Sequence, residues 1–174
     1  MGLCKSKLAQ TSRPLRPREK DILKSVLIIF VMGGPGSGKG TQCKYMATKY
    51  GLYHVGLGQL LRQEAQRGTQ RGRQIHDFML QGLLVPTVGR APNAVIVFDC
   101  SMETMVRRLL GRGKVEHRAD DSESAIQRRL ETHYTLCEPV LTFYQQKNLL
   151  RNILAEAAPE NIFAKCCSVI ESLQ

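Results

Sequence analysis

Residues 33–41 read GGPGSGKGT, and they concentrate five glycines and one lysine in nine positions. Glycine lets the backbone approach a ligand closely, and the N–H groups at the start of a helix bind anionic oxygens. A lysine in the same loop reaches the outer phosphates of a nucleotide. The spacing therefore predicts a phosphate-binding loop whose contacts come from Gly36, Ser37, Gly38, Lys39, Gly40 and Thr41.

The residues on either side of this loop supply the elements that it needs. Residues 25–31 form a β-branched apolar run typical of a buried parallel strand, and residues 38–50 are rich in helix formers up to Gly51. A strand, a glycine-rich loop and a helix in this order favour nucleotide binding over a turn without a ligand. One departure is Gly40, since most such loops have there the Ser or Thr that holds magnesium, and Thr41 follows one place later.

Further along the chain, short apolar runs alternate with longer segments of helical periodicity. The runs predict strands near 53–56, 94–99 and 149–154. The periodic segments predict helices near 58–67, 70–82, 101–112, 122–134, 136–147 and 159–172. This alternation indicates an α/β fold over residues 25–174, with a parallel sheet flanked by helices in three layers.

The composition limits the partners that the chain is expected to bind. Its 174 residues are enough for one domain with a core, and a net charge of +10 favours anionic partners. The chain has no tryptophan and no basic-aromatic repeat that would stack bases, so nucleic acid is not an expected partner. The longest apolar run, residues 26–32, is too short to span a membrane. The chain is expected to be a monomer.

The six cysteines and four histidines give no sign of a disulfide framework or a metal site. The cysteines form no C-x-x-C pair, and the histidines show no metal-ligand spacing. The thiols are therefore expected to be reduced, as in a cytosolic protein, and no metal site of protein ligands is predicted.

The first 24 residues form a separate, basic segment that is predicted to be a flexible arm. The opening MGLCKSK fits the pattern for N-myristoylation at Gly2, and Cys4 offers a second site for a palmitoyl chain. Several lysines and arginines follow, which suits an anionic membrane surface. The expected location is the cytoplasm, with membrane association if the arm is acylated; the alternative is a disordered basic leader.

The loop variant GGPGSGKGTQC resembles the nucleoside monophosphate kinases, which are P-loop NTPases, and most closely the short cytosolic adenylate kinases. The likeness continues in YGLYHVGLGQLLRQE, CSMETMVRRLLGRG, HRADDSESAIQRRLETHY and EPVLTFY, and it runs from about Lys24 to Gln174 in two blocks. It implies an enzyme that transfers phosphate from ATP, bound with Mg²⁺, to AMP and gives two ADP. In phosphoryl transfer the protein acts mainly by positioning the reacting groups and by stabilising their negative charge.

The resemblance also implies roles for individual residues. It implies a catalytic role for Lys39, Arg112, Arg118 and Arg129, and it adds Arg108 to the ATP-binding loop residues. It implies that AMP is bound by Arg62, Leu84, Val85, Arg118 and Arg129, with Leu84 and Val85 lining the pocket through their backbone. Asp120 and Asp121 match acids of the family's lid. For each arginine the alternative is a solvated charge on a helix.

The resemblance is interrupted within residues 80–100. After Leu-Val-Pro, which ends at Pro86, the sequence passes within a few residues to VGRAPNAVIVFD, which resembles the family's fourth strand. Roughly forty residues are absent near 86–88, and only a connection of loop length is left. The family's third strand would lie there, with an Asp-Gly-Tyr-Pro-Arg type motif whose acid organises magnesium and whose arginine contacts the transferred phosphate. The fold is therefore expected to lack a central strand beside the phosphate loop.

Asp99 permits two interpretations. Without the family, residues 95–98 followed by Asp99 look like a strand that ends in a magnesium-binding acid. The alignment instead matches FDCSMETM to the segment that leads into the lid, which favours a structural role for Asp99.

Three functions follow from these observations. The first is an adenylate kinase-type enzyme, which the gap is expected to impair. The second is an inactive relative that binds nucleotide or competes for the partners of a full-length enzyme. The third is a membrane-tethered adaptor that uses only the basic arm, but it leaves the kinase-like remainder unexplained.

Overall fold

The computed structural model describes residues 16–56, 63, 67, 69, 70, 73, 92–116 and 121–173. In this part of the chain the strands are β1 (Ile29–Gly33), β2 (Ala94–Asp99) and β3 (Leu150–Leu154). The helices are α1 (Pro17–Ser25), α2 (Lys39–Tyr50), α3 (Met102–Glu116), α4 (Glu123–Gln146) and α5 (Pro159–Glu171). The α/β fold class predicted from the sequence is confirmed.

The three strands form one parallel sheet in the order β1-β2-β3. The central strand carries a continuous apolar run, Ala94 to Phe98, and all five of these residues are buried. A strand covered on both faces and paired on both sides needs such a run. The residues of β1 are only half-buried, and within the described residues β1 pairs with β2 alone. The phosphate-loop strand is thus an edge strand in this part of the molecule.

The helices pack around this sheet and position the loop between β1 and α2. Helix α2 packs against α5, while α3 and α4 pack against each other. Met46 of α2, Met105 and Leu109 of α3 and Ile162 of α5 join one buried core with the apolar residues of β2. The elements that flank the loop are therefore held by the main core of the domain.

Three predicted elements differ from the structure. Residues 53–56 form no strand, and Tyr53 remains 95% exposed, since no described strand lies beside this segment to accept its backbone hydrogen bonds. The predicted helices 122–134 and 136–147 are one helix, α4, which continues through Pro139 although proline forfeits one backbone hydrogen bond. Strand β1 begins at Ile29, not near residue 25, because Ser25 closes α1.

Helix α1 lies within the segment predicted as a flexible arm, where no helix was predicted. No helix of the described part is long and apolar enough to cross a membrane. The five cysteines in this part of the chain are free thiols.

Candidate functional site

The loop between β1 and α2 adopts the conformation that its glycines permit. Gly33, Gly36 and Gly38 have φ angles of 143°, 79° and 89°, which side chains rarely tolerate. The N–H of Ser37 donates to the carbonyl of Gly34 over 3.2 Å, and helix α2 begins two residues later. The loop therefore wraps tightly in front of a helix N-terminus, which is a favourable position for an anion.

Helix α3 packs directly on this loop. A Cβ atom added at Gly36 would lie 2.7 Å from the carbonyl oxygen of Met105 and 3.1 Å from Cγ of Leu109, and one added at Gly34 would overlap Sδ of Met105. At Gly40 an added Cβ would meet no atom within 4 Å, and Gly40 has no positive φ. Only the glycines at the turn of the loop are required by packing and backbone conformation.

We therefore expect Gly36→Ala to lower the free energy of unfolding by about 2 kcal/mol, because alanine is strained at this φ and meets the α3 backbone. Gly40→Ala is the matched control and should leave stability unchanged or slightly higher, since alanine is favoured within a helix. Urea denaturation of both variants measures the difference. Equal losses from the two substitutions would contradict this account of the loop.

Lys39 lies at the start of α2 and folds back over the loop. Its Nζ atom donates to the carbonyls of Gly33 and Gly34 at 2.8 and 2.6 Å. Burial, together with the positive charges of Arg129 and Arg112, lowers the pKa of Lys39 to about 8. Three cationic groups thus act on one another at the loop, and an anion bound there would relieve their repulsion.

This pKa predicts that the affinity for ATP depends on pH. Below pH 8 Lys39 is charged, and as the pH rises through about 8 it loses the charge that attracts phosphate. We expect the affinity for ATP to fall by up to about tenfold for each pH unit above pH 8. This is the dependence expected when binding requires one proton, here the one on Lys39. Calorimetric titration with ATP across this range measures the effect, and Lys39→Arg, which does not titrate here, is the control. A constant affinity for the wild-type chain would contradict the prediction.

Two of the predicted arginines meet on one carboxylate. Arg112 donates from Nε and Nη2 to the two oxygens of Asp121 at 2.8 and 2.6 Å, and Arg129 donates to Oδ1 of Asp121 at 2.9 Å. The Asp121 side chain is fully buried. Burial opposes its ionisation, but the hydrogen bonds and charges of Arg112 and Arg129 outweigh this and hold the pKa of Asp121 below its usual value. The carboxylate therefore fixes two guanidinium groups whose charges act on Lys39.

Arg108 lies at a second junction, between α3 and the loop after β3. Its Nη1 atom donates to the carbonyl of Ala155 at 2.9 Å. The carboxylate of Glu156 accepts from the backbone N–H of Ser101 and, at 2.7 Å, from the hydroxyl of Thr104, so it caps the start of α3. These contacts tie the end of β3 to the helix that covers the phosphate loop.

The structure brings some of the predicted site residues together, and others lie outside the described residues. Lys39 lies on the phosphate loop, and Arg112 and Arg129 meet on Asp121, from which their charges act on Lys39. Gly2, Cys4, Arg62, Leu84, Val85 and Arg118 lie outside the described part of the chain.

Sequence reasoning missed two residues near the site. Glu156 follows β3 directly, but nothing in the sequence indicated that its carboxylate would reach α3. The histidine spacing indicated no role for His133, yet its ring lies against the loop, and a Cβ atom added at Gly34 would lie 3.2 Å from its Cδ2 atom. Burial and the charge of Lys39 lower the pKa of His133. Both effects favour the neutral form of His133.

Comparison with known proteins finds the same family by a family model and by individual relatives. The family model described as adenylate kinase matches residues 31–88. Rabbit adenylate kinase isoenzyme 1 is 36% identical over 190 aligned positions, which cover 87% of this chain and 98% of that protein. The human isoenzyme 1 is 35% identical with the same coverage. Mouse adenylate kinase isoenzyme 5 is 37% identical, but the match covers 34% of that longer protein.

The alignment lengths also reveal a difference in size. The match to the rabbit protein takes 190 positions, whereas 87% of a 174-residue chain is about 151 residues. Roughly 39 aligned positions of the rabbit protein therefore have no counterpart here. This number agrees with the size of the internal gap inferred from the sequence.

Proposed function

This chain belongs to the adenylate kinase family, and on that premise we propose that it transfers the terminal phosphate of ATP to AMP to give two ADP, at a rate that the missing segment reduces. The members of this family are nucleoside monophosphate kinases. The observation that carries the proposal is a glycine loop at a helix N-terminus with Lys39 folded over it, while Asp121 holds Arg112 and Arg129 close enough for their charges to act on Lys39.

These residues suit the charge that develops in phosphoryl transfer. In our proposal the loop N–H groups and Lys39 bind the outer phosphates of ATP, while Arg112 and Arg129 stabilise the negative charge of the transferred group. Asp121 holds both guanidinium groups in position before substrate binds, which avoids reorganisation during the reaction. Mg²⁺, when bound with ATP, would neutralise negative charge on the phosphate oxygens.

The proposed impairment is supported by the exposed side of the phosphate-loop strand. In the described part of the chain β1 has a neighbour on one side only, and its residues are half-buried. The resemblance implies that the missing strand belongs on the other side and carries an acid and an arginine of the catalytic machinery. The chain therefore keeps the groups that bind phosphate and lacks part of the set that promotes transfer.

The test is ADP formation by the purified chain from ATP, AMP and Mg²⁺. We expect a slow reaction that Lys39→Met abolishes, because methionine has a similar length but no charge. A circular dichroism spectrum and melting curve of each protein establish that it is folded. A folded chain that forms no ADP would contradict the kinase proposal.

The gap specifically favours a second candidate, an inactive form that binds nucleotide and serves as a regulator. About 39 aligned positions of the relative are missing, while the phosphate loop is intact. ATP binding without ADP formation, with the binding lost in Lys39→Met, would select this candidate over the kinase.

We also propose that the basic arm binds anionic membrane surfaces in the cytoplasm, with acyl chains on Gly2 and Cys4 as additional anchors. The support is the acylation pattern and the run of basic residues, of which Arg16 and Arg18 lie exposed at the start of α1. Sedimentation with phosphatidylserine vesicles should exceed that with phosphatidylcholine vesicles, and Lys5→Gln with Lys7→Gln should reduce it. Equal sedimentation with both lipids would contradict the electrostatic part of the proposal.

A further inference from the structure

The carboxylate of Asp99 lies at the end of the strand that pairs directly with the phosphate-loop strand. Gly33, the last residue of β1, is in register with Phe98, and a Cβ at Gly33 would lie 2.6 Å from the Phe98 carbonyl oxygen. The next residues along the two strands are Gly34 and Asp99. Asp99, the last residue of β2, therefore lies beside the first turn of the phosphate loop.

Within the described residues, no hydrogen bond or ion pair holds the side chain of Asp99. The residue is exposed, and its backbone carbonyl accepts a hydrogen bond from Ala155. Among the described residues no hydrogen bond or ion pair engages its carboxylate, in contrast to the fully paired carboxylates of Asp121 and Glu156. The backbone of Asp99 thus makes the structural contact, in agreement with the structural role that the resemblance favours. Within the described residues its carboxylate remains available to bind a ligand.

The charges of Asp99 and of the phosphate loop both act on the ring of His133. His133 lies against Gly34, and both the positive charge of Lys39 and the negative charge of Asp99 act on its ring. Thr41, whose side chain is exposed, lies in the first turn of the helix that begins at Lys39. Mg²⁺ prefers oxygen ligands, usually one or two carboxylates together with waters and substrate phosphates. Asp99 and Thr41 are oxygen-bearing residues of this kind on the two elements that border the loop.

We propose that Asp99 orients the Mg²⁺ of bound Mg·ATP, directly or through a metal-bound water, in place of the acid that the missing strand would carry. This assignment rests on the proposed function only for the identity of the nucleotide. The donor set fits magnesium because it consists of oxygen ligands beside a phosphate loop, whereas no three His, Cys, Asp or Glu side chains cluster into a metal site within the described residues.

The test is the effect of Mg²⁺ on ATP binding, which does not require turnover. Dissociation constants for ATP are measured calorimetrically in Mg²⁺ and in EDTA for the wild-type chain, Asp99→Asn and Glu131→Gln. Glu131 is an exposed acid on α4 and serves as the matched control. We expect Asp99→Asn to weaken ATP binding in Mg²⁺ by about 10-fold or more, as loss of a metal-orienting carboxylate does, and to leave binding in EDTA unchanged.

Each outcome decides the assignment. Full retention of the Mg²⁺ effect in Asp99→Asn, an equal loss in Glu131→Gln, or a wild-type chain whose ATP binding is insensitive to Mg²⁺ would overturn it. If Asp99→Asn melts at a lower temperature, Asp99→Glu restores the carboxylate and should restore the Mg²⁺ effect. A wild-type chain that binds Mg·ATP through Asp99 but forms no ADP would refute the proposed kinase activity and leave this assignment standing.

Discussion

Insertion of the missing segment of rabbit adenylate kinase isoenzyme 1 between Pro86 and Val88 will raise the rate of ADP formation by roughly a thousandfold or more. Positioned cations and acids of the phosphoryl-transfer machinery are worth about 10³-fold or more in rate. The insertion should also raise stability, because β1 gains a second neighbour for its backbone groups and half-buried side chains. Steady-state rates and melting temperatures before and after insertion measure the two effects.

The two effects of the insertion can be separated with a second version of the same segment. In that control the motif's acid and arginine are replaced by asparagine and glutamine, so that the strand is restored without its charged groups. We expect this version to gain stability but little activity. An unchanged rate with the intact segment would show that the gap is not what limits this chain.

Removal of the Asp121 carboxylate will produce the largest loss of stability of any single charge substitution in the described part of the chain. Asp121→Asn breaks the two-oxygen contact with Arg112 and the contact with Arg129, and it leaves two guanidinium groups facing each other. Breaking a buried ion pair costs about 3–5 kcal/mol. We expect a value near 3 kcal/mol, because the two arginine side chains are 25% and 21% exposed.

The control for this substitution is Asp21→Asn, which breaks an ion pair of 2.8 Å with Lys24 whose side chains are 69% and 75% exposed. Exposed pairs contribute about 1 kcal/mol or less. The Asp121 pKa is lowered by folding, so the stability it contributes is present above the unfolded carboxyl pKa and is lost as the pH falls through the lower folded value. Denaturant unfolding of both variants at neutral and acidic pH measures this, and similar losses at neutral pH would contradict it.

The parts of the fold that the sequence predicts well are those with strong local signals. The turn of the loop has positive φ angles, which glycine adopts at little cost, so Gly36 and Gly38 marked the turn between β1 and α2 directly. The apolar run of β2 likewise left few alternatives to a buried parallel strand. The segment 53–56 was also predicted as a strand but forms none, because a strand needs a neighbour and no described strand lies beside it.

For the candidate site, the sequence and the resemblance named individual residues but not their arrangement. The resemblance named Arg112, Arg129 and Asp121 separately, yet the convergence of both arginines on one carboxylate depends on how α3 and α4 meet. The contact of Glu156 with Thr104 joins residues 52 positions apart and has no local signature. Such contacts depend on tertiary packing, which spacing along the chain does not define.

The most direct measurement is a calorimetric titration of the purified, folded chain with ATP in the presence of Mg²⁺, carried out beside Lys39→Met. If residues 33–41 and the cations around them form an ATP site, the wild-type chain will bind ATP at one site and Lys39→Met will bind it far more weakly. Equal binding by the two proteins, or none by a folded wild-type chain, would contradict the assignment of this loop as the ATP site.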